Sequence, residues 1–297
     1  MEMKKNIVYF ILLIALAAFW FGMKTREQNK GRQAKVNRNR LVFEHFQKED
    51  IAFIEMELPG ERIYLELKGH DWCFQDNHLP ANNHYVDMLL KCFETLTYGD
   101  YVSSSVEDHY LYRLDSKSRL VVLRDRNERE ITRLYIGKPG ENYRTAFFRQ
   151  GDSADVYHTV TDFFITTNRP TWYDRQIWNV PESAVQFIVL KDGQREIRLS
   201  STDSKWMDHL GRPCDAKAIH QILNLQAGDA YETCQQELKQ TGSMVLDLGV
   251  NKMTLHLYRE GQTTKARRQS TPDLTYVLSE NILAPFFDGK NTDQENH

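Results

Sequence analysis

Three clusters in this 297-residue chain hold side chains that could do chemistry. His70, His78 and His84 flank Cys73 and two acids, the residue types of a transition-metal site. Structural zinc ligands come in short pairs such as C-x2-C, however, and no CxxC occurs anywhere in the chain. Ser103 to Ser105 stand near Asp108 and His109, which together offer a nucleophile, an acid and a base. Triad members meet through the fold and not along the chain, and no G-x-S-x-G elbow accompanies these. Gly137-Lys-Pro-Gly140 has the composition of a phosphate loop but lacks the remaining spacing of a Walker loop, and in a strand-rich segment it reads as a turn. The sequence therefore offers no catalytic residue, no metal site and no cofactor site, and the chain is expected not to be an enzyme.

Two further features could recognise a ligand. Trp72 and Trp206 could be stacking platforms for a sugar or a peptide, but they occupy matched places in a repeat and are expected to be core anchors, each indole burying about 200 Å². Asp174-Arg175 could hold an anion. Because a guanidinium is a rigid fork suited to a carboxylate, a structural ion pair or cap at the junction of the two repeats is the expected role.

The elements that position these residues are written twice. Phe53-Ile54, Ile63, Leu65 and Trp72 recur 134 residues later as Phe187-Ile188, Ile197, Leu199 and Trp206. With a one-residue drift, Pro80, Val86, Leu89 and Leu90 recur as Pro213, Ile219, Ile222 and Leu223, and Gly99-Asp100 returns as Gly228-Asp229. In each copy an alternating pattern predicts a β-hairpin, a Trp-bearing strand and then a helix, over 82–96 and 215–225. Strands are expected near 120–123, 131–136, 143–148 and 156–157, and near 244–248, 253–258 and 275–278. Short helices at 161–167 and 279–287 would close the copies. The predicted class is α+β, with an N-terminal transmembrane helix before two duplicated antiparallel-sheet-plus-helix modules. The divisions are a cytoplasmic N-terminus at 1–6, an anchor at 7–23, a basic stalk at 24–43, modules at 44–180 and 181–287, and a loose tail at 288–297.

The anchor assignment rests on an uncharged run, Ile7 to Met23, between Lys4-Lys5 and Lys24. At about 1.5 Å of rise per residue such a run reaches the lower limit for a bilayer core, with Trp20 near the interface. A cleaved signal at Ala15-Leu16-Ala17 is the rival, opposed by the apolar Phe19-Trp20-Phe21 that follows. The seven basic residues from Lys24 to Arg40 argue against export and the signal-anchor layout argues for it. Export of residues 24–297 is expected, with the basic stalk at the headgroups. Residues 1–40 carry nine Lys or Arg and two acids, a net +7, which leaves −10 on the rest of a chain whose formal charge is −3. An acidic body is unsuited to nucleic acid. Of Cys73, Cys92, Cys214 and Cys234, two fall in each copy, as buried thiols or as one disulfide per copy.

The order of basic N-terminus, anchor, stalk, "LVFEHFQKEDIAFIEMELPGERIYLELKGHDW", a Pro-started helix, "LYIGKPGENYRTAFFRQGDSADVYHTV" and "YDRQIW" resembles the bacterial domain-of-unknown-function family 4340. The sharpest matches are Ile136-Gly137 and Asp174-Arg175. The resemblance implies a membrane-anchored protein, often encoded beside ABC-type transporters and auxiliary components similar to those of gliding-motility systems. On that basis the expected role is a non-enzymatic accessory or scaffold of the inner membrane with an envelope protein as partner. The alternative is an envelope glycan- or peptide-binding module.

Overall fold

The computed structural model describes residues 13–22, 24–25, 38–58, 60–141, 145–159, 165–166, 168–202, 205–233, 238–279 and 281–287. Residues 13–22 form helix α1. Then come β1 (Phe53–Leu58), β2 (Glu61–Lys68), β3 (Asp71–Phe74), α2 (Asn83–Thr95), β4 (Tyr98–Ser103), β5 (Arg119–Arg124), β6 (Glu130–Pro139), β7 (Ala146–Gln150) and β8 (Val156–Thr159). After β9 (Gln176–Asn179) the plan repeats with β10 (Phe187–Asp192), β11 (Arg195–Thr202), β12 (Lys205–Asp208), α3 (Ala216–Leu223), β13 (Asn224–Gln226) and β14 (Asp229–Glu232). It ends with β15 (Gln240–Asp247), β16 (Lys252–Glu260), β17 (Thr263–Arg268), β18 (Thr271–Leu278) and α4 (Ala284–Phe287).

The two copies build two eight-stranded antiparallel sheets of one topology. Their orders are β3-β2-β1-β5-β6-β7-β8-β4 and β12-β11-β10-β15-β16-β17-β18-β14. Register repeats as well as order: Ile54 faces Leu65 and Met56 faces Ile63, while Ile188 faces Leu199 and Leu190 faces Ile197. The 134-residue offset of the sequence is thus a pairing register. Continuing across each sheet, Met56 faces Val121 and Leu190 faces Met244, then Val121 faces Leu134 and Met244 faces Leu255. Of these residues all but Ile197, which is half-buried, are fully buried, because strands alternate faces and a one-residue slip would turn them to solvent. The hairpin connections each carry a glycine with positive φ, Gly60 (+87°) and Gly193 (+61°), which an L side chain adopts only with strain.

By contacts the chain divides into two units, residues 1–66 with 87–167, and 67–86 with 168–297. In the first, Leu89, Leu90 and Phe93 of α2 are buried at helical spacing. In the second, α3 buries Ala218, Ile219, Ile222 and Leu223, and its Asp215 cap accepts the amide hydrogen of Lys217.

A feature absent from the sequence reading precedes each copy. Residues 38–42 run antiparallel to 96–98, with Asn39 N–H on the Tyr98 carbonyl at 2.7 Å, Tyr98 N–H on Arg40 at 2.9 Å and Val42 N–H on Leu96 at 2.8 Å. Likewise β9 pairs with β13, placing Asn179 opposite Asn224 and Trp178 opposite Leu225. Each module therefore begins with a strand that seals the exit of its helix.

Several elements differ from expectation. Gly137-Lys-Pro-Gly140 is not a turn, since β6 continues through Pro139. The closing helix of the second copy is one turn, Ala284–Phe287, because Pro285 has no amide hydrogen and restricts the residue before it, so a helix cannot run through it from 279. Strands β4, β14 and β17 are additional. The expected helix at 161–167, the tail at 288–297, Cys234 and the first half of the anchor lie outside the described residues or mostly so.

Candidate functional site

Trp72, Trp206, Asp174 and Arg175, expected to be core anchors and a junction pair or cap, all lie in the second unit. Trp72 and Trp206 are 7 % and 5 % exposed. The Trp206 indole N–H donates to Glu182 Oε1 at 2.7 Å, so its polar edge is satisfied while the ring is packed. Asp174 and Arg175 do not pair with each other. Arg175 donates from Nη1 to the Gly228 carbonyl (2.9 Å) and from Nη2 to Asp229 Oδ1 (3.2 Å). The first copy has the same arrangement, with Arg38 Nη1 3.3 Å from Asp100 Oδ1. The Asp of the repeated Gly-Asp thus receives an arginine from the segment that leads into its own module.

Asp174 accepts the amide hydrogen of Gln176 at 3.0 Å, and burial pushes its carboxyl pKa up despite the nearby Arg268. A carboxyl whose pKa rises on folding stabilises the fold below its unfolded pKa and loses that contribution as pH rises. Asp174→Asn, which keeps an acceptor for Gln176, is therefore expected to match or exceed the parent chain in urea midpoint at pH 7. The difference should close as pH falls through about 4.

The structure also places the other sequence clusters. Ser103 Oγ donates to Asp108 Oδ2 at 2.5 Å, and His109 Nε2 lies 3.1 Å from the Ala154 carbonyl, so serine and histidine are not joined as nucleophile and base. His78 Nδ1 is 3.0 Å from Lys68 Nζ. No group of three potential metal ligands occurs among the described residues. Cys73 is buried, while Cys92 and Cys214 are half-buried; burial pushes the Cys214 thiol up to about 11.

What the sequence did not single out is an open cleft of about 940 Å³ in the first unit, at the ends of β6, β7, β8 and β4. Asp100, Lys138, Glu141, Thr145, Phe147 and His158 line it. Two glycines shape its wall. A Cβ on Gly137 would lie 2.0 Å from the Tyr112 carbonyl oxygen, and one on Gly140 would lie 2.2 Å from Thr145 Oγ1 and 2.4 Å from His158 Nε2. Neither has positive φ, so their role is close approach and not turning. Gly137 admits the 3-10 helix Val106–Tyr112 against β6, and its carbonyl accepts from Arg119 Nη2 at 2.9 Å. Burial lowers the Arg119 pKa. Gly140 leaves room for Thr145 Oγ1 and His158 Nε2 to meet at 2.9 Å.

Cation–π contacts fix the remaining wall. Lys138 Nζ sits 5.2 Å from the Tyr112 ring centre and 5.4 Å from that of Phe147, and the His158 ring is 4.9 Å from Phe147. Register places Leu257 where the first copy has Ile136, and Ala266 where it has Phe148. By continuation Lys265 stands in place of Phe147, Val277 in place of His158 and Gly261 in place of Gly140. Nothing lies within 4 Å of a Cβ built on Gly261, and Glu260 faces Thr263 across a tight connection. The cleft chemistry belongs to the first copy alone.

A family model described as Domain of unknown function (DUF4340) matches residues 72–242, more than half of the chain. The chain belongs to this family. The DUF4340 match takes in Gly137 to His158, most of the cleft wall, and also Asp174-Arg175 and Trp206. No curated protein and no solved structure matches the chain.

Proposed function

We propose that this DUF4340 chain is a non-enzymatic, membrane-anchored accessory protein of the bacterial inner membrane, with its two modules outside the cytoplasm and an envelope protein, such as an ABC-type transporter, as partner. The observation that carries the reading is α1. Every residue from 13 to 22 is exposed although Leu13, Ile14, Leu16, Phe19, Trp20 and Phe21 are large and apolar, so nothing among the described residues buries them. Lipid removes that cost. Lys24 Nζ lies 4.9 Å from the Trp20 ring centre, a pair suited to the headgroup interface. Among the described residues no helix is long and apolar enough to cross a membrane, and the proposed span also uses residues 7–12, which are not described.

The full chain is expected to stay with the membrane pellet in alkaline carbonate, and a form lacking residues 1–23 to be released. Release of the full chain would defeat the anchor. Labelling Cys73, Cys92, Cys214 and Cys234 in intact and permeabilised cells, after denaturation with or without reductant, tests the side; thiols reached only after the inner membrane is breached would place the modules in the cytoplasm.

A second reading, envelope glycan or peptide binding, is favoured by the cleft of the first unit, where aromatic, cationic and anionic side chains converge.

A further inference from the structure

We infer that this cleft takes a short peptide bearing a free carboxylate and a free amine; the inference rests on the ligand-binding reading and names its ligand class. The argument begins with charges that do not neutralise each other. Lys138 and Glu141 both line the cleft, yet among the described residues Lys138 forms no ion pair and contacts only the rings of Tyr112 and Phe147, and Glu141 likewise forms no ion pair. Asp100 adds a second carboxylate, shared with the exposed Arg38. Charges of opposite sign that line one cleft without pairing are complementary to a zwitterion, its carboxylate toward Lys138 and its amine toward Glu141 and Asp100.

The alternatives fit less well. A phosphate-rich ligand needs several cations, and among the described lining residues two carboxylates accompany one lysine. A sugar ring needs an open aromatic face, and Phe147 is already flanked by Tyr112, His158 and Lys138. A cleft of about 940 Å³, at the upper end for ligands of drug size, has room for more than a single amino acid. Its β4 wall, which carries Asp100 and Val102, is last in the sheet order, and beyond Tyr98, where residues 38–42 pair, no strand among the described residues covers it, so an extended main chain has a strand edge beside it.

Titration calorimetry on the detergent-solubilised full chain tests this with triglycine, its C-terminal amide, its N-acetyl form and chitotriose. Triglycine is expected to bind at least roughly tenfold more tightly than either blocked form. Lys138→Met should erase the preference for acid over amide, and Glu141→Gln should weaken the preference for free over acetylated amine, with Asp100 remaining. Both are surface changes, and unchanged melting temperatures show that each variant is folded. Equal affinity for triglycine and its amide, or no triglycine heat at millimolar concentration, would overturn the proposal. Binding of chitotriose alone would overturn it too while leaving a ligand-binding module in place.

Discussion

Gly137→Ala is expected to lower the unfolding free energy of the first unit by about 3 kcal/mol, the upper range for overpacking a well-filled site. The added methyl would sit 2.0 Å from the Tyr112 carbonyl oxygen and 3.0 Å from Leu114 Cγ, and the first of these is backbone, which cannot swing aside as a side-chain tip can. The relief available is to push the 3-10 helix Val106–Tyr112 off β6, which also unseats the Tyr112 ring under Lys138. Urea titration should show the loss. The informative control is Gly261→Asn in the second copy, where φ is +59° and no atom crowds the site; asparagine tolerates that conformation, so its midpoint should stay near that of the parent chain. If both substitutions were neutral, the close approach of Tyr112 to β6 would be wrong.

Trp206→Ala should cost the second unit about 3–5 kcal/mol, as truncation of a large buried aromatic leaves a cavity that neighbours fill only in part. Trp206→Phe should cost less, since most of the ring volume stays and the stranded acceptor, Glu182, borders solvent. Trp72→Ala is expected to be comparable. The measurement is the loss of denaturant midpoint, and a Trp206→Ala chain as stable as its parent would mean that the indole lies at the surface as a platform.

The hairpin, Trp strand and helix of each copy were legible because their apolar residues are few, large and regularly spaced: Ile54, Met56, Ile63 and Leu65 alternate, and Val86, Leu89, Leu90 and Phe93 follow helical spacing. Strand β17 was not. Its sequence Thr-Thr-Lys-Ala-Arg-Arg has one apolar residue, Ala266, and that residue alone is buried; Lys265 and Arg267 instead extend over the rings of Tyr231 and Tyr258. Strand β4 hides its alternation in two register shifts against β8. The cleft was invisible for another reason. Its walls come from four strands spread over 60 residues, and the one local sign, Gly137-Lys-Pro-Gly140, reads as a turn because glycine in a sequence does not reveal whether it serves a positive φ or a close approach. Comparison of the two copies carried the missing signal, since Glu260-Gly261 keeps a tight connection where the first copy has a longer one.

The shared register also sets a hazard during folding. In both sheets the first hairpin must wait for a distant strand: β1 needs β5, with a helix and β4 between them, and β10 needs β15 across a shorter interval that also holds a helix. Ile54 and Met56 present to Val121 and Leu123 nearly the same edge that Ile188 and Leu190 present to Met244 and Leu246. While its own partner is missing, either hairpin can dock on the wrong strand, or on the same strand of another molecule, at little loss of buried surface. What separates right from wrong is effective concentration. Slow release of nascent chain, which lets the first copy close before the second emerges, should therefore raise the yield of monomer over exchanged dimers.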